Sequence, residues 1–362
     1  MINFFDLDIK RAAVHRLIEK DAGQPHASIV ESNELLALDE NVVYTMLERL
    51  SKAAEKKNKT FDLSINDTHQ SSFFGYASEI SELDDNLFIR HSIKISQLLA
   101  QAQVSSRFPG GYVVVLDAVK SNSKNKVCIV VKAELHDALI YYEDSLRLLE
   151  NVFMSPSQKL FKFGMIYQYD EHEKLDLQDN LEFPNDSWGA MIYDEQFRID
   201  SKPAEYFFKD FLGFSTDSNG LIQSKRFYDK TENFIQNYYE DFNEKQDMLT
   251  RLNETFIMDD QQEIETKNFS ERLLGKEELK KQYENEVVAK IPEKIEKNPQ
   301  LIKSNLSSKK ITFPGNIKIS GPTNNVEANV EIITDDEDLK NLTTLSSSYT
   351  IIKVAGKPYT KD

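Results

Sequence analysis

The sequence predicts an α+β protein: an N-terminal mixed region with an antiparallel sheet, a helical middle, and a small β-rich C-terminal segment. Three observations carry that expectation. Two β-branched runs, YVVVL (112–116) and VCIVV (127–131), flank the polar stretch SNSKNK and read as an antiparallel hairpin. From 201 to 291 apolar residues recur at helical spacing, and after Pro292 strand-like text returns in KKITFPGNIKISG, VEANVEIITD and SYTIIKVAGKPY. These changes of pattern set the expected boundaries: 1–200 as an α+β domain, 201–292 as a helical region, and 293–362 as a basic linker with a β-rich segment.

The elements follow in order. The opening segment is strand-rich or mixed. A helix comes next, because Val42, Val43, Met46, Leu47, Leu50 and Ala54 form one stripe, with Lys52, Lys56, Lys57 and Lys59 toward its C-terminal end. A second helix covers about 87–103 through Ile89, Ile93, Leu98 and Leu99. The turn Pro109-Gly110-Gly111 opens the hairpin, and 159–169 and 187–195 add strands to the same sheet. In SKPAEYFFKDFLGFS, Ser201 suits an N-cap, Pro203 a first helical turn, and Gly213 the left-handed position that ends a helix. Ala204, Phe207, Phe208 and Phe211 then share a face, either sealing a core or meeting the same helix of a second chain. Phe227, Thr231, Phe234, Ile235, Tyr238 and Phe242 form the next stripe, followed by Leu249, Leu252 and Phe256, and by one helical stretch from 269 to 291.

Composition excludes several classes. The chain has 362 residues, 40% hydrophobic, which is too much for general disorder. No apolar run approaches the ~20 residues that cross a bilayer, so no membrane partner is expected. Asp6 and Asp8 stand where a signal peptide wants positive charge, and the single cysteine, Cys128, lies in an apolar run, so a cytoplasmic location is expected.

Charge is unevenly spread. The net is −16. Between 170 and 200 ten acids face two bases, whereas between 290 and 318 seven lysines face two acids. Those lysines are Lys290, Lys294, Lys297, Lys303, Lys309, Lys310 and Lys318. A basic island in an acidic chain serves either as a phosphate-binding surface or as a solvated linker, and charge alone favours the linker.

Catalytic patterns are weak. Asp117 on one strand and Lys132 with Glu134 on the next resemble the carboxylate-and-lysine arrangement of Mg²⁺-dependent nucleases, an arrangement common by chance. His172 among Asp170, Glu171 and Glu173 is not a structural zinc set. No phosphate-cradling glycine motif and no nucleophile elbow occurs. The expectation is a non-enzyme with no catalytic residue, no metal and no cofactor.

The order of DIKRAAVHRLI, FPGGYVVVLDAV with VCIVVKAEL, EYFFKDFLGFS with SKRFYDKTENFI, and the strand-like tail resembles the bacterial 37-kilodalton nucleoid-associated proteins, the NdpA/YejK-like family. The resemblance spans nearly the whole chain and contains no catalytic chemistry. It implies a cytoplasmic, nucleoid-associated protein. On that reading double-stranded DNA is the partner, and the excess positive charge of the lysine island makes it the expected DNA-binding surface. Self-association as a homodimer through Phe207, Phe208 and Phe211 is the further expectation, with other nucleoid or defence proteins as additional partners. The alternatives are an acidic protein-interaction or phage-defence component that contacts DNA indirectly, and a nuclease-like effector.

Overall fold

The computed structural model describes residues 2–133, 136–142, 145–152, 162–170, 187–197, 205–257, 262–273, 277–313, 317–333 and 351–356. Two units, Met1–Asn219 and Gly220–Asp362, divide the chain. The first contains β1 (Leu7–Ile18), β2 (Ser28–Val30), α1 (Glu40–Ala54), β3 (Thr60–Ile65), α2 (Phe73–Glu79), α3 (Asp85–Ala102), β4 (Gly111–Lys120) and β5 (Lys126–Ala133). A separate hairpin of β6 (His136–Tyr142) and β7 (Ser145–Val152) follows, then β8 (Lys162–Gln168), β9 (Trp188–Asp194) and β10 (Phe214–Ser215). Apart from that hairpin, the strands form one antiparallel sheet in the order β10-β3-β9-β8-β5-β4-β1-β2.

The expected hairpin is therefore β4 and β5, at the middle of the sheet. Alternate residues of these strands face two different layers. Val114, Leu116, Val127, Ile129 and Val131 pack with Met46, Leu47, Leu50, Ala53 and Ala54 of α1. On the other face Val113, Val115 and Val130 are all fully buried, with α3 against β4 and α2 against β5. Strands covered on both faces lose the apolar–polar alternation of a half-exposed sheet, which is why YVVVL and VCIVV are unbroken runs.

A β-bulge in β1 decides which face its charged residues take. Ile9 pairs with Ala118, but Arg11 pairs with Asp117, so Lys10 is an extra residue on β1. Ile9 packs on the α1 side. The slip turns Arg11 to the opposite face. There its Nε donates to Asp117 (2.9 Å), its Nη2 to the carbonyls of Ile80 (2.9 Å) and Leu83 (2.8 Å), and its Nη1 to Asp85 (2.9 Å). The guanidinium lies 4.7 Å from the Phe88 ring centre, and Ser81 Oγ donates to the second Asp117 oxygen (2.6 Å).

His15 lies further along the same face, 1% exposed. The Ser32 N–H donates to its Nδ1 (3.1 Å), which leaves Nε2–H to donate to Ser92 Oγ (2.8 Å). A proton on Nδ1 would displace the first bond and charge a buried ring. Burial accordingly pushes the imidazole down from 6.5 to about 4, with the Glu31 charge opposing.

The aromatic segment forms a helix of wider gauge than expected. Residues 201–204, which include the expected cap Ser201, Pro203 and Ala204, lie outside the described residues. Tyr206–Phe211 is π-helical, with the Leu212 N–H donating to the Phe207 carbonyl five residues back (3.1 Å). The wider turn buries Tyr206 together with Phe207, Phe208 and Phe211. Gly213 has φ +69°, as the left-handed position requires, and a Cβ there would meet Asp67 Cβ at 2.6 Å.

The second unit contains α4 (Gly220–Tyr238), α5 (Phe242–Ile257), β11 (Glu263–Glu265), α6 (Thr266–Leu273), α7 (Glu277–Glu286), β12 (Lys294–Glu296), α8 (Lys303–Ser307), β13 (Ser308–Phe313), β14 (Ile317–Pro322), α9 (Thr323–Asn329), β15 (Val330–Ile333) and β16 (Ile351–Val354). Its strands make two-stranded antiparallel ribbons, β11–β12, β13–β14 and β15–β16. The core contains Phe227, Phe234, Ile235, Leu252, Phe256, Phe269, Tyr283 and Ile295. The helical stretch expected from 269 to 291 is two helices, α6 and α7, followed by a 3₁₀ turn, Val288–Lys290. Thr231 belongs to the apolar stripe of α4 because its hydroxyl bonds the buried Tyr283 hydroxyl (2.8 Å).

Two outcomes are expected. Phe211→Ala lowers unfolding free energy by about 3–5 kcal/mol in chemical denaturation, with the oligomeric state unchanged in light scattering, because the ring is enclosed within one chain. For His15 the folded pKa lies below the unfolded one, so the unfolded chain binds the extra proton first as pH falls. Stability therefore declines from pH 6.5 toward about 4, by about 3 kcal/mol in all for this group. His15→Gln flattens the acid limb of a denaturation series across that window.

Candidate nucleic-acid interface

The seven lysines of the basic island all belong to the second unit. Lys290 closes the turn Val288–Lys290 and is exposed. Lys294 in β12 is exposed and paired with Glu265, directly opposite in β11 (3.4 Å). Lys297 is half-buried, and its N–H donates to the Gln262 carbonyl (2.7 Å). Lys303 opens α8 and is exposed, whereas Lys309 in β13 is half-buried. Lys310 follows in β13, its side chain outside what is described, and Lys318 in β14 is exposed.

The register of the β13–β14 ribbon sorts these residues by face. Lys309 pairs with Gly321, Ile311 with Ile319 and Phe313 with Ile317, and these positions share one face. Lys310 pairs with Ser320 and Thr312 with Lys318, on the other. Beyond Lys309 and Gly321 the first face is apolar and graded. Ile311 is buried, Ile319 and Phe313 are half-buried, and Ile317 is 61% exposed. The second face carries two cationic positions, Lys310 and Lys318, diagonal to each other, with Ser308, Thr312, Ser320 and Pro322.

Lys309 lines a groove of about 330 Å³ together with Tyr228, Glu232, Asn253, Ser304 and Asn305. The Tyr228 hydroxyl donates to Asn253 Oδ1 (2.9 Å). Burial and the neighbouring Asp229 push the Glu232 carboxyl up, with Lys225 opposing.

The nuclease-like constellation does not converge. Asp117 pairs with Cys128, while Lys132 pairs with Val113, four positions along the hairpin. At about 3.3 Å per residue that separates them by about 13 Å. Both Asp117 oxygens are already held, by Arg11 and Ser81. Glu134 lies outside the described residues, as do Glu171, His172 and Glu173. Asp170 accepts from Asn125 (2.7 Å) and pairs with Lys120 (3.2 Å). Among the described residues no group of three or more His, Cys, Asp or Glu side chains is placed to hold a metal ion. Cys128 is buried, and burial with the Asp117 charge pushes its thiol up, away from a reactive thiolate.

One charged cluster escapes the sequence reading. Lys132 on β5, Lys162 on β8 and Asp194 on β9 are successive cross-strand neighbours, all buried. Lys162 Nζ donates to Asp194 (2.5 Å), and the Tyr206 ring lies over Lys162 (5.1 Å) and Lys132 (5.9 Å). Burial pushes the Asp194 carboxyl up, and the Lys162 ammonium opposes it. Its only trace in the sequence is a charge at the end of each of two otherwise apolar strands, KFGMIYQ and WGAMIYD.

The geometry thus shows a two-unit α+β protein whose second unit carries a lysine-bearing β-ribbon with apolar residues on one face. The chain belongs to the family described as nucleoid-associated protein YejK, whose model matches residues 13–343. No curated protein matches it. Among the described residues no helix is long and apolar enough to cross a membrane.

The buried pair gives a direct expectation. Asp194→Ala leaves the Lys162 ammonium buried without its aspartate and lowers stability by about 3–5 kcal/mol in denaturant unfolding. Adding Lys162→Met recovers part of that loss, whereas independent sites would add.

Proposed function

We propose that this chain is a non-enzymatic, cytoplasmic nucleoid protein that binds double-stranded DNA directly, through lysines of the second unit. The observation that carries the reading is the cationic ribbon region: Lys303, Lys309, Lys310 and Lys318 fall within α8, β13 and β14 of a chain with net charge −16. Charge division supports it. The first unit has 23 bases and 35 acids, the second 21 bases and 25 acids, so −12 of the total falls on the first and −4 on the second. Membership of a nucleoid-associated family fits DNA as the polyanion. The protein acts as a homodimer, and its seam lies away from Phe207, Phe208 and Phe211, whose rings the first unit encloses.

The acidity of the first unit supports a second reading, in which that unit engages a protein partner and DNA contact is indirect. A duplex titration with pure protein at several salt concentrations separates the two. Direct binding gives log affinity falling with log salt by about 0.9 per phosphate contact. Replacing Lys303, Lys309 and Lys310 with Gln flattens that slope by up to about three units. No binding at low salt sinks direct recognition, and an unchanged slope removes the island from the interface.

A further inference from the structure

We propose that the first unit has a phosphate-contact surface of its own, formed by the outer flank of α1 and the turn after it, with Arg49 and Lys57 as the residues that receive the phosphates. This rests on direct DNA binding as the chain's function and extends it to the unit whose overall charge opposes it. Between 48 and 59 five bases, Arg49, Lys52, Lys56, Lys57 and Lys59, meet two acids, Glu48 and Glu55, in a unit with a net charge of −12. Packing fixes where these charges stand. Met46, Leu47, Leu50, Ala53 and Ala54 bury the inner side of α1 against the sheet. Arg49, Lys52 and Lys56 follow at i, i+3 and i+7, along one flank of that stripe. The turn is pinned to the end of β9: Lys56 Nζ donates to Glu195 (2.6 Å) and to the Tyr193 hydroxyl (3.2 Å), and Lys59 Nζ to the Phe197 carbonyl (3.2 Å). The Lys59 N–H closes it on the Lys56 carbonyl (2.8 Å), which leaves Lys57 between two anchors and exposed.

The two remaining cations carry the inference. Lys52 has Glu48 (2.7 Å), and Lys56 and Lys59 have the anchors just named. Among the described residues neither Arg49 nor Lys57 has an acceptor for its side chain. Arg49 is half-buried, and burial pushes its guanidinium down, with the Glu48 charge opposing. A fork of five donors drawn partly out of water with no acceptor costs free energy, which a phosphate returns through two parallel hydrogen bonds. The helix dipole does not account for Arg49, because its effect falls off within the last turn, where Lys52 stands. From Arg49 to Lys56 the rise is about 10 Å, while one strand of a duplex presents a phosphate about every 3.4 Å of its axis. Cations spread over that length suit a regularly spaced polyanion better than a single small anion. Duplex DNA is the polyanion that the proposed function supplies.

The test titrates the full chain with a DNA duplex at several salt concentrations. Arg49→Gln combined with Lys57→Gln should flatten the salt slope by about two units. Glu55→Gln removes an exposed acid from the same surface and should tighten binding at low salt. Denaturant unfolding should match wild type for both proteins, because Arg49 and Lys57 hold nothing in the fold. A slope unchanged in the double variant overturns the first-unit surface and leaves binding through the second unit standing. Failure of wild type to bind duplex at low salt overturns both. Lost stability with the slope kept makes the pair structural and overturns the inference, as does Glu55→Gln that weakens binding. Binding to anionic vesicles that depends on Arg49 and Lys57, with duplex binding indifferent to them, overturns it as well.

Discussion

Strands β4 and β5 are covered on both faces, and a polar side chain placed on either face can stay only with a partner, because an unsatisfied buried polar group costs more than a packed apolar one gains. That constraint organises the first unit. Asp117 would be an isolated buried charge on β4. Arg11 meets it only because the bulge at Lys10 turns β1 by one position. Arg11 in turn holds the carbonyls of Ile80 and Leu83, so the entry to α3 is fixed by the same guanidinium. Further along, His15 is held neutral by Ser32 and Ser92, and at the far end of the face Asp194 is held by Lys162. Each solution ties a sheet residue to a different element, so the polar groups set register while apolar burial supplies most of the stability.

The aromatic segment closes that face under the same crowding. Gly164 on β8 has no side chain because Leu212 occupies the space: a Cβ there would lie 2.4 Å from Leu212 Cδ1. Phe211 meets Phe73 at 5.6 Å, and Phe207 packs on Phe211 at 5.5 Å. An α-helical turn would direct one of four adjacent aromatics outward. The π-helical gauge lets Tyr206, Phe207, Phe208 and Phe211 all be buried, and Gly213 reverses the chain into β10. The rings of the segment are buried within the first unit.

Much of this was legible in the sequence where the signal is local. The α1 stripe of Met46, Leu47, Leu50 and Ala54, the β4–β5 hairpin, the strands β8 and β9, and Gly213 at φ +69° all follow from spacing and turn chemistry. What was not legible depends on partners far apart along the chain. Arg11 and Asp117 are 106 residues apart, Lys162 and Asp194 32 apart, and no local pattern announces either pair. The π-helical gauge was missed because Ala204, Phe207, Phe208 and Phe211 fit a 3.6 period well; it is Tyr206, off that stripe, that decides the matter. The lysine island was visible as a count, but only the β13–β14 register assigns Lys309 to one face and Lys310 with Lys318 to the other.

That assignment matters to the proposed DNA contact because the chain as a whole carries the same sign of charge as DNA. A net charge of −16 acts at long range, the ribbon lysines at short range, and the ionic atmosphere decides which is felt. At about 0.01 M salt the screening length is about 30 Å, so acids far from the ribbon still oppose approach, whereas at about 0.15 M it is about 8 Å and only charges beside the phosphates count. Salt therefore weakens the lysine contacts and the background repulsion together. The affinity of such a protein falls less steeply at the low-salt end than its number of phosphate contacts implies, and it approaches the full counterion-release slope only where distant acids are screened. On the proposed reading, the ribbon lysines are what bring this acidic chain to the phosphates, and the acids elsewhere oppose other approaches. A uniformly basic surface would bind in any orientation.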